Sequence, residues 1–162
     1  MTARGSIVQL SVSGDGVPKL PVAQACVAEL GLAGDDHDDK QHHGGPTRAV
    51  CLFAIERIEA LAAEGHHVAP GTTGENVTTR GIDWDEVTPG MQFRLGDECL
   101  IEVTSYTAPC STIEHNFSDR DFNRMSQKVH PGWSRTYARV LVPGTIRAGD
   151  PIEVVKIGVA AG

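Results

Sequence analysis

Short runs of alternating apolar and polar residues, punctuated by glycine and proline, organise this chain. In SIVQLSV (6–12), Val8, Leu10 and Val12 alternate, which predicts a first strand closed by the turn SGDG. KLPVAQACVAELGLAGDD (19–36) is apolar but broken by Pro21 and its glycines, so it reads as strand or extended segments. RAVCLFAIERIEALAAEG (48–65) opens as a buried strand and then changes period. Ile55, Ile58, Leu61 and Ala62 fall on one helical face, and Gly65 ends the helix. Turn-forming residues fill 70–90, with a short strand around Val77. MQFRLG (91–96) and ECLIEVT (98–104) are two strands joined by a Gly-Asp turn, a hairpin signal. SDRDFNRMSQKV (118–129) predicts a helix with Ser118 as N-cap and Asp121 in the capping-box position. TYARVLVPGTIRAGDPIEVVKI (136–157) predicts a final pair of strands around a Pro-Gly turn. Seven or eight short strands with two inserted helices, and no repeat or linker, give a mainly β fold. The expected architecture is a closed or nearly closed β-barrel forming a single domain over 1–162.

Composition narrows function more than fold. A chain of 162 residues can bury roughly 70% of its unfolded surface, enough for one core without covalent staples. Its net charge of −7, from 21 acidic and 14 basic residues, argues against nucleic acid as a partner, because phosphate contacts need a basic face. An anionic ligand would therefore need a local positive pocket. No apolar run is long enough for a signal peptide or a membrane span, so no membrane partner and a cytoplasmic location are expected.

The cysteines Cys26, Cys51, Cys99 and Cys110 show no C-x-x-C spacing, which leaves zinc ribbons, iron–sulfur clusters and thioredoxin chemistry unsupported. Cys51 in AVCLFAI and Cys99 in ECLIEV read as small apolar fillers of strands, and Cys26 in AQACVAEL likewise. Cys110 differs. It follows Pro109, which cannot continue a central strand, and its neighbours Thr107, Ser111 and Thr112 are polar. That places the thiol at an accessible barrel mouth, where its thiolate would be a nucleophile or a soft-metal ligand.

QHHGGPTRAV (41–50) allows several chemistries. His42 and His43, with Asp35, His37 and Asp38, supply enough ligands for a metal on paper, yet no H-x-x-x-H or Cys/His pairing fixes a geometry. An acidic solvated loop is the plainer reading. Gly44-Gly45-Pro46 can present backbone N–H groups to an anion, with Thr47 and Arg48 as further donors, and Gly71–Asn76 offers a second such bend. Neither stretch matches a phosphate-binding or dinucleotide fingerprint, and tight turns explain both as well. Arg139, inside the strand TYARVLV, would pair with a carboxylate or hold a ligand anion.

GLAGDDHDDKQHHGGPTRAV, PGTTGENVTTRGID, MQFRLGDECLIEVTSYTAPC and YARVLVPGTIRAGDPIEV occur in the order seen in MOSC domains. These are the domains named after the C-terminal part of molybdenum cofactor sulfurase. The resemblance covers Val8 to Val155. It implies a β-barrel whose open end takes a molybdopterin-type molybdenum cofactor, and a cysteine that ligates molybdenum or carries sulfur as a persulfide. Cys110 matches that cysteine, as catalytic group and metal ligand. By the same resemblance His43, Gly44, Gly45, Thr47, Arg48, Gly74, Glu75, Asn76 and Arg139 line the cofactor site. Pyridoxal phosphate, which belongs to the desulfurase part of true sulfurases, is not expected in this chain. The resemblance implies an oxidoreductase that reduces N-hydroxylated or N-oxygenated small molecules with electrons from a partner protein. Its alternatives are a sulfur carrier fed by a sulfur donor, and a cofactor-binding module without catalysis.

Overall fold

The computed structural model describes residues 4–14, 16–35 and 45–158. Eleven strands are present among them: β1 (Arg4–Val12), β2 (Leu20–Val22), β3 (Gln24–Ala28), β4 (Gly31–Leu32), β5 (Val50–Ala54), β6 (Val77–Arg80), β7 (Gln92–Leu95), β8 (Cys99–Tyr106), β9 (Thr136–Val142), β10 (Gly144–Arg147) and β11 (Pro151–Lys156). One α-helix, α1 (Ile55–Ala63), and four 3-10 turns complete the described elements.

Seven strands close on themselves in the order β11-β7-β8-β9-β5-β6-β1, the ring being shut by pairing of β1 with β11 (Arg4 opposite Glu153, Ser6 opposite Pro151). The expected barrel is therefore closed. Every pairing in the ring is antiparallel except β5 with β6, where Leu52 lies opposite Val77. That parallel pair is bridged by α1, since a parallel connection needs a crossover that a tight turn cannot make. β5 is buried along its whole length, which explains why VCLFA is apolar without alternation.

Phe53, Phe93, Leu95, Ile101 and Ile152 are at most 1% exposed and anchor the core, with Trp84 edge-on to Phe53 at 6.3 Å between ring centres. α1 adds Ile55, Ile58 and Leu61, while Ala62 stays exposed. Gly65 ends the helix with φ +98°, a left-handed conformation that suits glycine.

Four local expectations change. In β1 a bulge between Ile7 and Gln9 shifts the pleat, so Ile7, Leu10 and Ser11 are buried while Val8 and Val12 are only half-buried. Residues 118–129 hold no α-helix. Arg120 takes φ +60°, and the Asp119 and Asp121 carboxylates accept from backbone N–H groups two residues on, leaving a 3-10 turn at Phe122–Met125. Such local side-chain bonds compete with the helix ladder. The expected final strand pair is three strands, and β10 leaves the barrel to pair with β3 in a second small sheet, β10-β3-β4. Cys26, on β3, is exposed rather than a core filler.

Because Phe53 is wholly enclosed, Phe53→Ala should cost about 3–5 kcal/mol of stability. Urea unfolding monitored by Trp fluorescence measures this, and an unchanged midpoint would contradict the packing described.

Candidate functional site

The segments singled out in the sequence meet around β5 and β9. Cys51 on β5 lies directly opposite Tyr137 on β9. The 3-10 turn Pro46–Arg48, entered through Gly45 at φ +86°, leads into β5 and sets the Arg48 guanidinium 5.8 Å from the centre of the Tyr137 ring. Thr47 is held from the other side, its carbonyl accepting from the Thr104 hydroxyl of β8. β8 ends at Tyr106, and the chain then turns through Thr107 to Cys110 before the 3-10 turn Ser111–Asn116.

Burial holds the Tyr137 hydroxyl up at about 12. Negative charge at Cys51 adds to that rise, the Arg135 and Arg48 guanidiniums oppose it, and Cys110 contributes a smaller upward push. Two thiols and two guanidiniums thus lie within electrostatic reach of one ring. The two thiols differ in kind. Cys51 is enclosed, and burial pushes its thiol up, against the attraction of Arg135 and Lys19. Its sulfur lies 3.8 Å from the Thr107 hydroxyl. Cys110 is half-buried, on a loop, with its sulfur 2.9 Å from the Thr112 hydroxyl. Cys99 is packed in the core, and burial lifts its thiol to about 11.

Gly74, Glu75 and Asn76 take three separate parts. Gly74 has φ +94°, and a Cβ there would lie 3.0 Å from Val17 Cγ1 and 3.8 Å from Arg135 Nη1. Its bare Cα therefore faces the Arg135 guanidinium. Glu75 is fully enclosed and accepts hydroxyl bonds from Thr73 and Thr78, both at 3.2 Å. Burial raises its pKa, partly opposed by backbone hydrogen bonds and then by the Arg135 charge. Asn76 has its amide committed to the fold. Its Oδ1 accepts from the Cys51 N–H at 2.9 Å, and its Nδ2 donates to the Ser11 carbonyl and to Asp35 Oδ2 at 2.8 Å. Asp35 in turn forms a buried ion pair with Lys19, 2.7 Å long.

Arg139 stands on β9 in register with Glu102 and is ion-paired to it at 2.5 Å, about half exposed. His43 and Gly44, and with them His37, Asp38 and His42 of the acidic loop, lie outside the described residues. Among the described residues no three His, Cys, Asp or Glu side chains are grouped to hold a metal ion. Arg135 is the group that sequence reading missed. It is 6% exposed, Nη1 donates to the Thr73 carbonyl, and Nε is buried without a partner. Nothing in GWSRTYARV separates it from a surface arginine, because the stretch it meets, Thr73 and Gly74, lies some sixty residues away along the chain.

A sequence-family model for the MOSC domain matches residues 39–153. The chain is 36% identical to protein YiiM of Escherichia coli over 136 residues, which are 80% of this chain and 58% of that protein. It is 30% identical to YflK of Bacillus subtilis over 88% of this chain and 64% of the relative. A protein of Gibberella moniliformis named "Reductase" is 30% identical over 78% of this chain and 23% of its own length. The chain thus spans less than two thirds of the curated relatives it matches. The crystal structure of YiiM from Geobacillus stearothermophilus superposes with a TM-score of 0.75 at 26% identity, covering 97% of this chain and 78% of that one. The E. coli YiiM structure gives 0.70 at 29% identity, covering 96% and 70%. No helix among the described residues is long and apolar enough to cross a membrane.

Two thiols, Cys26 and Cys110, reach solvent, whereas Cys51 and Cys99 do not. Alkylation of the native protein with iodoacetamide, read by peptide mass spectrometry, should modify Cys26 and Cys110 first. Cys51 and Cys99 should react only after unfolding. Labelling of Cys51 as fast as Cys110 would refute the enclosure described.

Proposed function

This chain belongs to the MOSC domain family, and on that premise we propose that it binds a molybdopterin-type molybdenum cofactor through Cys110. We further propose that it works as an oxidoreductase on N-hydroxylated or N-oxygenated small molecules. The observation that supports this reading is a half-buried loop thiol and two guanidiniums that all lie within electrostatic reach of the Tyr137 ring, in a chain whose net charge is negative.

The donor set fits such a group. A thiolate suits a soft metal, and guanidiniums suit a phosphate. The unfilled Nε of Arg135 is the kind of buried donor that a bound anion satisfies. When bound, the cofactor supplies two-electron and oxygen-atom chemistry, while the protein contributes binding, orientation and charge. The Thr112 hydroxyl lies 2.9 Å from the Cys110 sulfur and can orient that side chain by a hydrogen bond. Arg48, fixed by the turn before β5 and by Tyr137, supplies positive charge on the same side. Gly45 and Gly74, both at positive φ, bring backbone close without side chains in the way. Glu102 engages Arg139, so that guanidinium has a carboxylate partner whatever else it meets.

The overall conversion takes two electrons and two protons, cleaves the N–O bond of the substrate and releases water. The chain carries no C-x-x-C spacing, so the electrons are assigned to a partner electron-transfer protein. The fungal relative named "Reductase" agrees with reductive chemistry. The same thiol would serve a sulfur carrier, with Cys110 as persulfide.

Cys110→Ser should lower molybdenum retention by more than the roughly 10–100-fold cost of an outer-shell change, with thermal stability nearly unchanged. Elemental analysis of protein from a molybdate-supplied host measures this. Full metal content in the variant would remove Cys110 from the site, and metal-free wild type with persulfide on Cys110 would favour sulfur carriage.

A further inference from the structure

The loop between β8 and β9 carries Cys110, and His66, which follows the glycine that ends α1, is built into its anchorage. The 3-10 turn Ser111–Asn116 starts at Cys110, whose carbonyl accepts from the Ile113 N–H at 3.1 Å. The far end of that turn is tied to residues 66–72. The His67 N–H donates to the Asn116 carbonyl at 2.7 Å, and the Asn116 side-chain amide donates to the Thr72 carbonyl at 3.1 Å. A further bond is of another kind: the Ser118 backbone N–H donates to Nδ1 of His66 at 3.2 Å.

An imidazole nitrogen accepts only while it carries no hydrogen, so this bond requires a neutral ring with its proton on Nε2. The side chain is 8% exposed and edge-on to Phe117, with 5.1 Å between ring centres. Nε2 lies 3.5 Å from Glu64 Oε1. That carboxylate favours a charged ring, but Arg124 grips both its oxygens, at 2.9 and 2.8 Å, and His130 lies within its electrostatic reach. On the Ser118 side, Asp119 turns its carboxylate to the Asp121 N–H, and Arg120 faces Glu114 at 3.8 Å. A partly exposed carboxylate already held by an arginine is a weak attractor. Protonation at Nδ1, in contrast, sets one donor against another at the Ser118 N–H and leaves the Ser118 hydroxyl, 3.4 Å away, to receive the new hydrogen. Ser118 is exposed, so water can replace the ring as acceptor for its N–H. Opening therefore takes up a proton. By linkage the closed form gains as pH rises and is lost as pH falls through the imidazole range.

We propose that His66 is a positioning residue for Cys110: its neutral ring fastens the Cys110 turn to the end of α1, and a proton taken from solvent onto Nδ1 releases it. The inference rests on the reading that Cys110 is the working thiol. It makes the setting of that thiol pH-dependent and does not require molybdenum.

The test follows amide hydrogen exchange in the metal-free full chain, with each rate divided by its intrinsic rate at the same pH. Between about pH 8 and about pH 5, the His67 and Ile113 amides should lose roughly five- to tenfold in protection, the scale of one lost hydrogen bond. The Ser11 amide, buried and bonded to the Asn76 carbonyl, should keep its protection, which separates release from acid unfolding. H66N places a non-titrating acceptor where Nδ1 stood and should keep both reporter amides protected at either pH. H66F removes the acceptor and should leave both poorly protected at either pH. Unchanged protection in the wild type, or the same pH-dependent loss in H66N, overturns the proposal. So does a nitrogen-15 spectrum that shows a hydrogen on Nδ1 of His66 at the higher pH. If H66F fails to fold, the wild type and H66N still decide. Because no metal enters the test, failure here leaves molybdenum ligation by Cys110 standing, and loss of that ligation leaves the His66–Ser118 bond untouched.

Discussion

The amide of Asn76 joins three stretches of chain that the sequence keeps far apart. It bonds the backbone of β5 at Cys51, the backbone of β1 at Ser11 and the Asp35 carboxylate. Its own backbone N–H donates to the Cys51 carbonyl at 2.7 Å, and its carbonyl accepts from Ser11 N–H. β6 starts one residue later and must run parallel to β5. Parallel pairing has no hairpin to set its register, so the side-chain amide does what a turn does elsewhere. Replacement of such an amide would leave several buried groups unpaired at once, each costing about 1–3 kcal/mol. The positions of Gly74 and Glu75, immediately before it, follow from this anchor.

Around that anchor the protein tolerates an uneven charge balance. Lys19 is matched by Asp35 in a buried pair and Arg139 by Glu102, whereas among the described residues Arg135 has only a carbonyl. Trp133 lies between the Arg57 and Arg124 guanidiniums, at 4.7 and 3.9 Å from their central carbons. Those arginines also reach Asp85 and Glu64, tying the segment after Cys110 back to α1 and the turn at Trp84. This ties down Gly132–Ser134, and Arg135 follows directly. The Trp84 indole N–H, donating to the Ser134 carbonyl at 2.8 Å, secures the same strand entry. The buried guanidinium is thus presented by a braced stretch of chain.

Elements with a strong period were legible in the chain: the β5-to-α1 switch at Ile55, the β7–β8 hairpin and the role of Gly65. Where local polar groups competed, legibility failed. The aspartates at 119 and 121 satisfy backbone N–H groups on their own, so a capping pattern produced a 3-10 turn instead of a helix. The Pro143-Gly144 break turned β10 away from β9 and onto β3, a choice set by which partner edge was open. Cys51 was readable as a filler because its neighbours are apolar on both sides, and Cys110 as accessible because of Pro109. Cys26 was misread because alternation gives burial only relative to a face, and β3 belongs to the small sheet.

The sequence by itself determined the strand-rich class, the order of the motifs and the position of the one cysteine leaving a strand beside a proline. Those properties depend on neighbours within a few residues, where backbone and hydrophobic period act directly. Tertiary structure alone decided the ring closure of β1 on β11, the commitment of Asn76 to the backbone and the burial of Arg135. Each depends on groups tens of residues apart meeting in space, and desolvation, which gives a buried charge its chemical meaning, exists only once they have met.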